Sequence, residues 1–144
     1  MKHRSTLTLG VTALMLAAGP RYTLAAEPST LPPPDHAGNI TYLSGGIGSD
    51  QSTEIKQQMV KYPLVLEFAG RTSGGNDYLA DIPVQIADAH GHAVLSTITK
   101  GPFLLASLPD GHYSVTATYN GQAQRRGVDL RASSHVHAVF LWAM

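Results

Sequence analysis

Alternation with a period of two dominates the chain after Pro63. Leu64, Leu66 and Phe68 alternate with Val65, Glu67 and Ala69, and Ile82, Val84 and Ile86 alternate with Asp81, Pro83 and Gln85. Tyr113, Val115, Ala117 and Tyr119 alternate with Ser114, Thr116 and Thr118, and Val136, Ala138, Phe140 and Trp142 share one parity within His135–Trp142. Successive strand side chains point to opposite faces, so each run predicts a strand with one face in a core. Pro83 places its strand at a sheet edge or in a bulge, because proline donates no ladder hydrogen bond. Val94 to Thr99 predicts a short β-branched strand, and the continuously apolar Phe103–Leu108 predicts one buried on both faces. A polar strand is expected from Gln122 to Leu130.

Turn residues separate these runs. In Leu108-Pro109-Asp110-Gly111 the proline presets φ, and the glycine is expected to take a positive φ. Asn120-Gly121 is a strong two-residue hairpin signal. Before Pro63 the period changes: Ile55, Met59 and Tyr62 recur at helical spacing and predict a helix from about Ser52 to Lys61, with Asp50 and Glu54 early and Lys56 and Lys61 late. Pro63 stops it. A helix this short is marginal alone and must dock on something. Together these elements predict an all-β fold, a Greek-key β-sandwich of about seven strands with one short helix near the start of the domain. The connections look too short for parallel crossovers.

The first residues change the picture of where the chain works. Lys2 and Arg4 precede an apolar run, Leu7–Ala18, that Gly19-Pro20 breaks. That run is shorter than the roughly 20 residues a membrane-spanning helix needs. Small residues follow at the spacing of a cleavage site after Ala25 or Ala26, so residues 1–26 predict a signal peptide and a periplasmic or secreted protein that does not span the membrane. Residues 27–38, with Pro28 and Pro32-Pro33-Pro34, predict an extended linker or tail. Residues 39–144 are expected to form the domain, and the roughly 118 residues left after cleavage can build one core without disulfides. There is no cysteine in any case.

Removing the leader takes Lys2, Arg4 and Arg21 with it. Seven basic side chains then face ten acidic ones, a formal charge of −3, which lacks the basic footprint of a nucleic-acid-binding protein. The Gly45-Gly46-Ile47-Gly48 cluster lacks the Gly-Lys-Ser/Thr ending of a phosphate loop. No Gly-x-Ser-x-Gly elbow, His-Glu-x-x-His helix or cysteine nucleophile occurs, so no catalytic residue is assigned and an enzyme is not expected. No cofactor is assigned either, apart from the copper or zinc that histidines could bind. His135 and His137 lie two apart in a predicted strand and project from one face, and His90-Gly91-His92 sits in a turn where both rings can converge. Trp142, Tyr119 and Tyr78 raise sugar stacking as an alternative, although Trp142 is in phase with Phe140 and so reads as buried.

From Ile82 to Leu130 the chain resembles the carboxypeptidase regulatory-like family among the transthyretin-like (prealbumin-like) sandwiches. The carrying residues are Ile82–Ile86, Asp88–Gly91, Gly101-Pro102-Phe103 and above all Leu108-Pro109-Asp110-Gly111-His112-Tyr113-Ser114-Val115. The resemblance implies a structural turn in which Pro109, Gly111 and Tyr113 set the geometry and Tyr113 packs in the core. It also implies a non-catalytic exported module whose partner is an envelope protein, a glycan or a second copy of itself. Two similar folds are enzymes. The hydroxyisourate hydrolases end in tyrosine-arginine-glycine-serine, whereas this chain ends Phe140-Leu141-Trp142-Ala143-Met144. The intradiol dioxygenases bind iron with two tyrosines and two histidines, types that Tyr113, Tyr119, His135 and His137 supply, yet the tyrosines read as inward and the histidines as outward.

Overall fold

The computed structural model describes residues 29–144; the expected signal peptide, residues 1–26, lies outside the described residues. The strands are β1 (Asp35–Ala37), β2 (Ile40–Gly45), β3 (Leu64–Thr72), β4 (Gly75–Tyr78), β5 (Pro83–Ala87), β6 (Ala93–Ile98), β7 (Phe103–Ser107), β8 (Gly111–Tyr119), β9 (Gln122–Leu130) and β10 (Val136–Ala143). One helix, α1 (Gly48–Gln58), runs into a 3-10 turn at Met59–Lys61. The strands form two sheets. One has the order β1-β2-β7-β3-β10, with β4 also on β3, and the other has the order β6-β5-β8-β9.

The main core lies between the sheets. Leu64, Leu66 and Phe68 of β3 and Phe140 and Trp142 of β10 meet Ile86, Tyr113, Val115 and Val128 from the four-stranded sheet. Phe68, Phe140 and Trp142 stack on one another with centroids 5.5–6.4 Å apart. The opposite parity of β3 and β7 is buried too, because α1 covers that face. Val65, Phe103 and Leu105 pack with Leu43, Ile55 and Tyr62, and with half-buried Met59 and Leu31. Burying side chains such as Ile55 contributes about 1.5–3 kcal/mol each, which holds a helix too short to persist alone.

Four expectations need correction. Ten strands are described, not about seven, since β1 and β4 are short pairings without a clear period-two pattern. The β3–β10 pair is parallel, from Val136↔Leu64 to Ala143↔Arg71; the whole intervening chain, including the other sheet, serves as the crossover that short connections seemed to forbid. β5 is an inner strand between β6 and β8, not an edge, and the register shift that marks a bulge falls between Ile86 and Ala87 on the β6 side. Pro83 is tolerated there because it is the first residue and pairs only with Ile98 of β6; pairing with β8 begins at Val84. Finally, the helix begins four residues earlier than its apolar stripe suggests, since Gly48–Gln51 are polar or exposed.

The proline-rich stretch runs against the domain rather than away from it. Glu54 accepts hydrogen bonds from the Ser29 hydroxyl and from the Thr30 amide and hydroxyl, and Leu31 joins the cluster under α1.

Candidate functional site

The Asp88–His92 turn joins β5 to β6. Asp88 Oδ1 accepts the amide hydrogens of His90 at 2.9 Å and His92 at 3.0 Å, and Gly91 takes φ 80°. The two rings lie 6.4 Å apart between centroids and are exposed. Those amide donors, His92 foremost, hold the Asp88 carboxyl below its ordinary value. A lowered folded value means that the ionised carboxylate favours the folded state. Its contribution is present above the ordinary carboxylate range and is lost as pH falls through the lowered value. Asp88→Asn keeps an oxygen acceptor but not the charge. Its denaturant midpoint is therefore expected below wild type at pH 7, with the gap narrowing as pH falls below the ordinary carboxylate range; a constant gap contradicts this role for the charge.

His135 and His137 stand elsewhere. His137 Nε2 is 2.9 Å from Glu67 Oε2, and His135 Nδ1 donates to the Tyr62 carbonyl at 3.0 Å, just before β10 begins. Both line a groove of about 330 Å³ with Met59, Val60, Val65 and Val136 on the outer face of the larger sheet. The structure thus places the two histidine pairs on different sheets. Among the described residues no three histidine, aspartate or glutamate side chains form a metal-holding group. The iron-binding types are also separated. Tyr113 is buried on the inner face with its hydroxyl on the Pro109 carbonyl at 2.8 Å, Tyr119 lies against Trp142 at 5.8 Å, and the histidines point outward.

The turn residues carry geometry rather than chemistry. Asn120 (φ 47°) and Gly121 (φ 73°) are both left-handed, the backbone that a twisted two-residue hairpin needs. Gly111 takes the expected positive φ, 159°, where it opens β8 paired with Leu130. The turn is also fastened by the Tyr113 hydroxyl reaching back to Pro109. The aromatic candidates for sugar stacking do not assemble: Trp142 is 2% exposed, and Tyr78 is tilted onto Phe103.

What the sequence reading passed over is the outer face of the four-stranded sheet. Strand pairing aligns Ser96, Gln85, Thr116 and Arg125 in one row across all four strands, and Ala87, Ser114 and Gly127 in the next. Among the described residues no helix covers them. Two hollows lie side by side along β8. One, of about 510 Å³, is bounded by Pro83, Gln85, Ser96, Ile98, Thr116 and Thr118. The other, of about 490 Å³, has the small residues Ala87, Ser114 and Gly127 as its floor, with Asp88, His112 and Arg125 around it. Arg125 Nε donates to Ser114 Oγ at 2.6 Å, which fixes the guanidinium, and no carboxylate of the described residues pairs with it. His112 Nδ1 is bonded to Asp129 Oδ1, and the ring lies over Gly127, where a Cβ would meet Cε1 at 3.4 Å. Ser114, His112 and Asp129 are the residue types of a nucleophilic triad. No hydrogen bond joins Ser114 to His112, however, and the arrangement presents donors rather than an activated oxygen. Ser114, Thr116 and Thr118 were visible as the polar parity of β8; only the cross-strand register reveals what stands beside them.

No family model matches the chain, and no curated protein matches it in sequence. Among solved structures, S.CueP is similar at 12% identity with a TM-score of 0.40. The match spans 52% of this chain and 59% of that one, less than two thirds of its length.

Proposed function

We propose that the protein is an exported, non-catalytic β-sandwich module that binds an envelope glycan or protein through the outer face of its four-stranded sheet. One observation carries this reading. Among the described residues no element covers this face across its four strands; it is lined by Gln85, Ser96, Thr116 and an Arg125 with which no carboxylate of the described residues pairs, and it holds two adjoining hollows of about 500 Å³ each. The N-terminal pattern supports export to the periplasm or beyond, and no helix among the described residues is long and apolar enough to cross a membrane. The Leu108–Val115 motif supports kinship with the carboxypeptidase regulatory-like sandwiches and their Greek-key connectivity. Photo-crosslinking in cells expressing the full chain tests the reading. A benzophenone side chain at Gln85 or Thr116 should give adducts that one at Gly74, in the exposed β3–β4 turn, does not. Equal adducts at Gly74, or none on the face, would contradict it.

Copper or zinc binding through His135 and His137 is the second reading, favoured by their shared groove and by Glu67 beside His137. A metal that binds only the folded state at a hundredfold excess over Kd stabilises it by about 2.7 kcal/mol, several degrees of melting temperature. Because His135, His137 and Glu67 do not converge as a three-ligand group among the described residues, zinc or copper at tens of micromolar is expected to leave the melting temperature unchanged. A shift that disappears in both His135→Ala and His137→Ala would promote the metal reading.

A further inference from the structure

We propose that the ligand of this face is an acidic oligosaccharide, its carboxylate seated on the Arg125 guanidinium and its hydroxyls on Gln85, Thr116 and Ser96. The inference rests on the binding-face reading above and adds the chemical class. Arg125 is held from one side only: Ser114 Oγ takes Nε, which leaves the terminal nitrogens free to engage a planar carboxylate. Neighbouring acids do not pair with it: Asp129 is bonded to His112, and the Asp88 carboxylate, at the rim of the same hollow, accepts the amides of its own turn. The hollow beside Arg125 exists because Ala87 and Gly127 flank Ser114 across three strands, so a ligand group can descend to the sheet.

The second hollow continues along β8 from Ser114 to Thr118. Residues 112–118 extend over roughly 20 Å at strand spacing, the reach of a few linked rings rather than a single small ion. Its lining carries the Ser96, Thr116 and Thr118 hydroxyls and the Gln85 amide, which both donate and accept and so suit vicinal sugar hydroxyls, beside the apolar Pro83 and Ile98, which suit the C–H faces of the rings. An extended peptide is served less well, because it adds to a sheet through an unpaired edge. β5 and β8, at the centre of this face, have both edges paired. No aromatic lies among the residues bounding the two hollows, so recognition here does not use ring stacking and the Arg125 charge selects the acidic sugar.

The test is calorimetric titration of the protein exported by cells carrying the full-length chain. The probes are a hexamer of galacturonic acid, a neutral maltohexaose, poly-glutamate and inorganic phosphate. The uronate hexamer is expected to bind, with the neutral hexamer at least about tenfold weaker, as loss of a charge-assisted contact implies. Arg125→Gln is expected to lower uronate affinity about tenfold without moving the melting temperature, and Arg125→Lys to recover only part of the loss because it lacks the fork. No uronate binding, undiminished binding by Arg125→Gln, or equal binding of poly-glutamate or phosphate overturns the proposal. Crosslinks at Gln85 and Thr116 alongside such a result leave the binding face standing and remove only the sugar acid; loss of both removes both.

Discussion

Gly101→Ala is expected to destabilise the domain by about 2–3 kcal/mol, at the upper end of overpacking effects. Gly101 lies in the connection between β6 and β7, where the chain passes directly over the backbone of Gly45 in β2. A methyl group there would lie inside contact distance of the Gly45 carbonyl carbon and oxygen. Backbone cannot swing aside as a flexible side chain can. The neighbourhood is also fastened: the buried Ser44 hydroxyl donates to the Phe103 carbonyl at 3.0 Å and accepts the Lys100 amide at 2.8 Å. Relieving the clash would therefore break those bonds or part β2 from β7. Gly74→Ala, in an open turn with nothing within 4 Å, provides the control and should leave the denaturant midpoint unchanged. Equal midpoints for Gly101→Ala and wild type would show that the connection does not pass over β2 as described.

Trp142→Ala is expected to cost about 3–5 kcal/mol, a large share of the 5–15 kcal/mol that holds a typical domain. Trp142 is 2% exposed, stacks on Phe68 and Phe140, and donates from Nε1 to the Gln122 carbonyl at 3.0 Å. It therefore ties the end of the parallel strand β10 to the start of β9 in the opposite sheet. Gln124 makes a second tie, donating to the Leu141 carbonyl. Trp142→Phe keeps most of the ring and loses the hydrogen bond, so about 1–2 kcal/mol is expected. Urea denaturation of the three proteins orders them directly. An alanine variant as stable as wild type would mean that Trp142 is not in the core.

The strands with clean alternation were legible because one parity faces the core and the other faces water: β8 and β10 carry Tyr113, Val115, Phe140 and Trp142 inward as their pattern requires. β7 was legible for the opposite reason, since unbroken apolarity reflects burial under both sheet and helix. Topology was not legible. Nothing local in Val136–Ala143 distinguishes a parallel partner from an antiparallel one, and Pro83 misdirected the reading because its effect depends on whether it opens the strand or interrupts it. The positive φ at Gly111 was legible from its neighbours, whereas the Tyr113 hydroxyl that fastens the turn to Pro109 was not. The histidines attracted attention as residue types, but His90 and His137 belong to different sheets. The candidate face stayed hidden because Arg125, Ser114, Gly127 and Ala87 are unremarkable singly. They become a site only through the register that brings 87, 114 and 127 into one row.

The central claim is that ligand meets the four-stranded sheet on its outer face. Amide chemical-shift mapping of the exported, isotope-labelled protein during titration with the galacturonate hexamer tests it most directly. Perturbations are expected to cluster at Gln85, Ser96, Ser114, Thr116, Arg125 and Gly127, and to disappear in Arg125→Gln. No perturbation, or a cluster instead at Met59, Val60, Val136 and His137 beside the helix, would contradict the account.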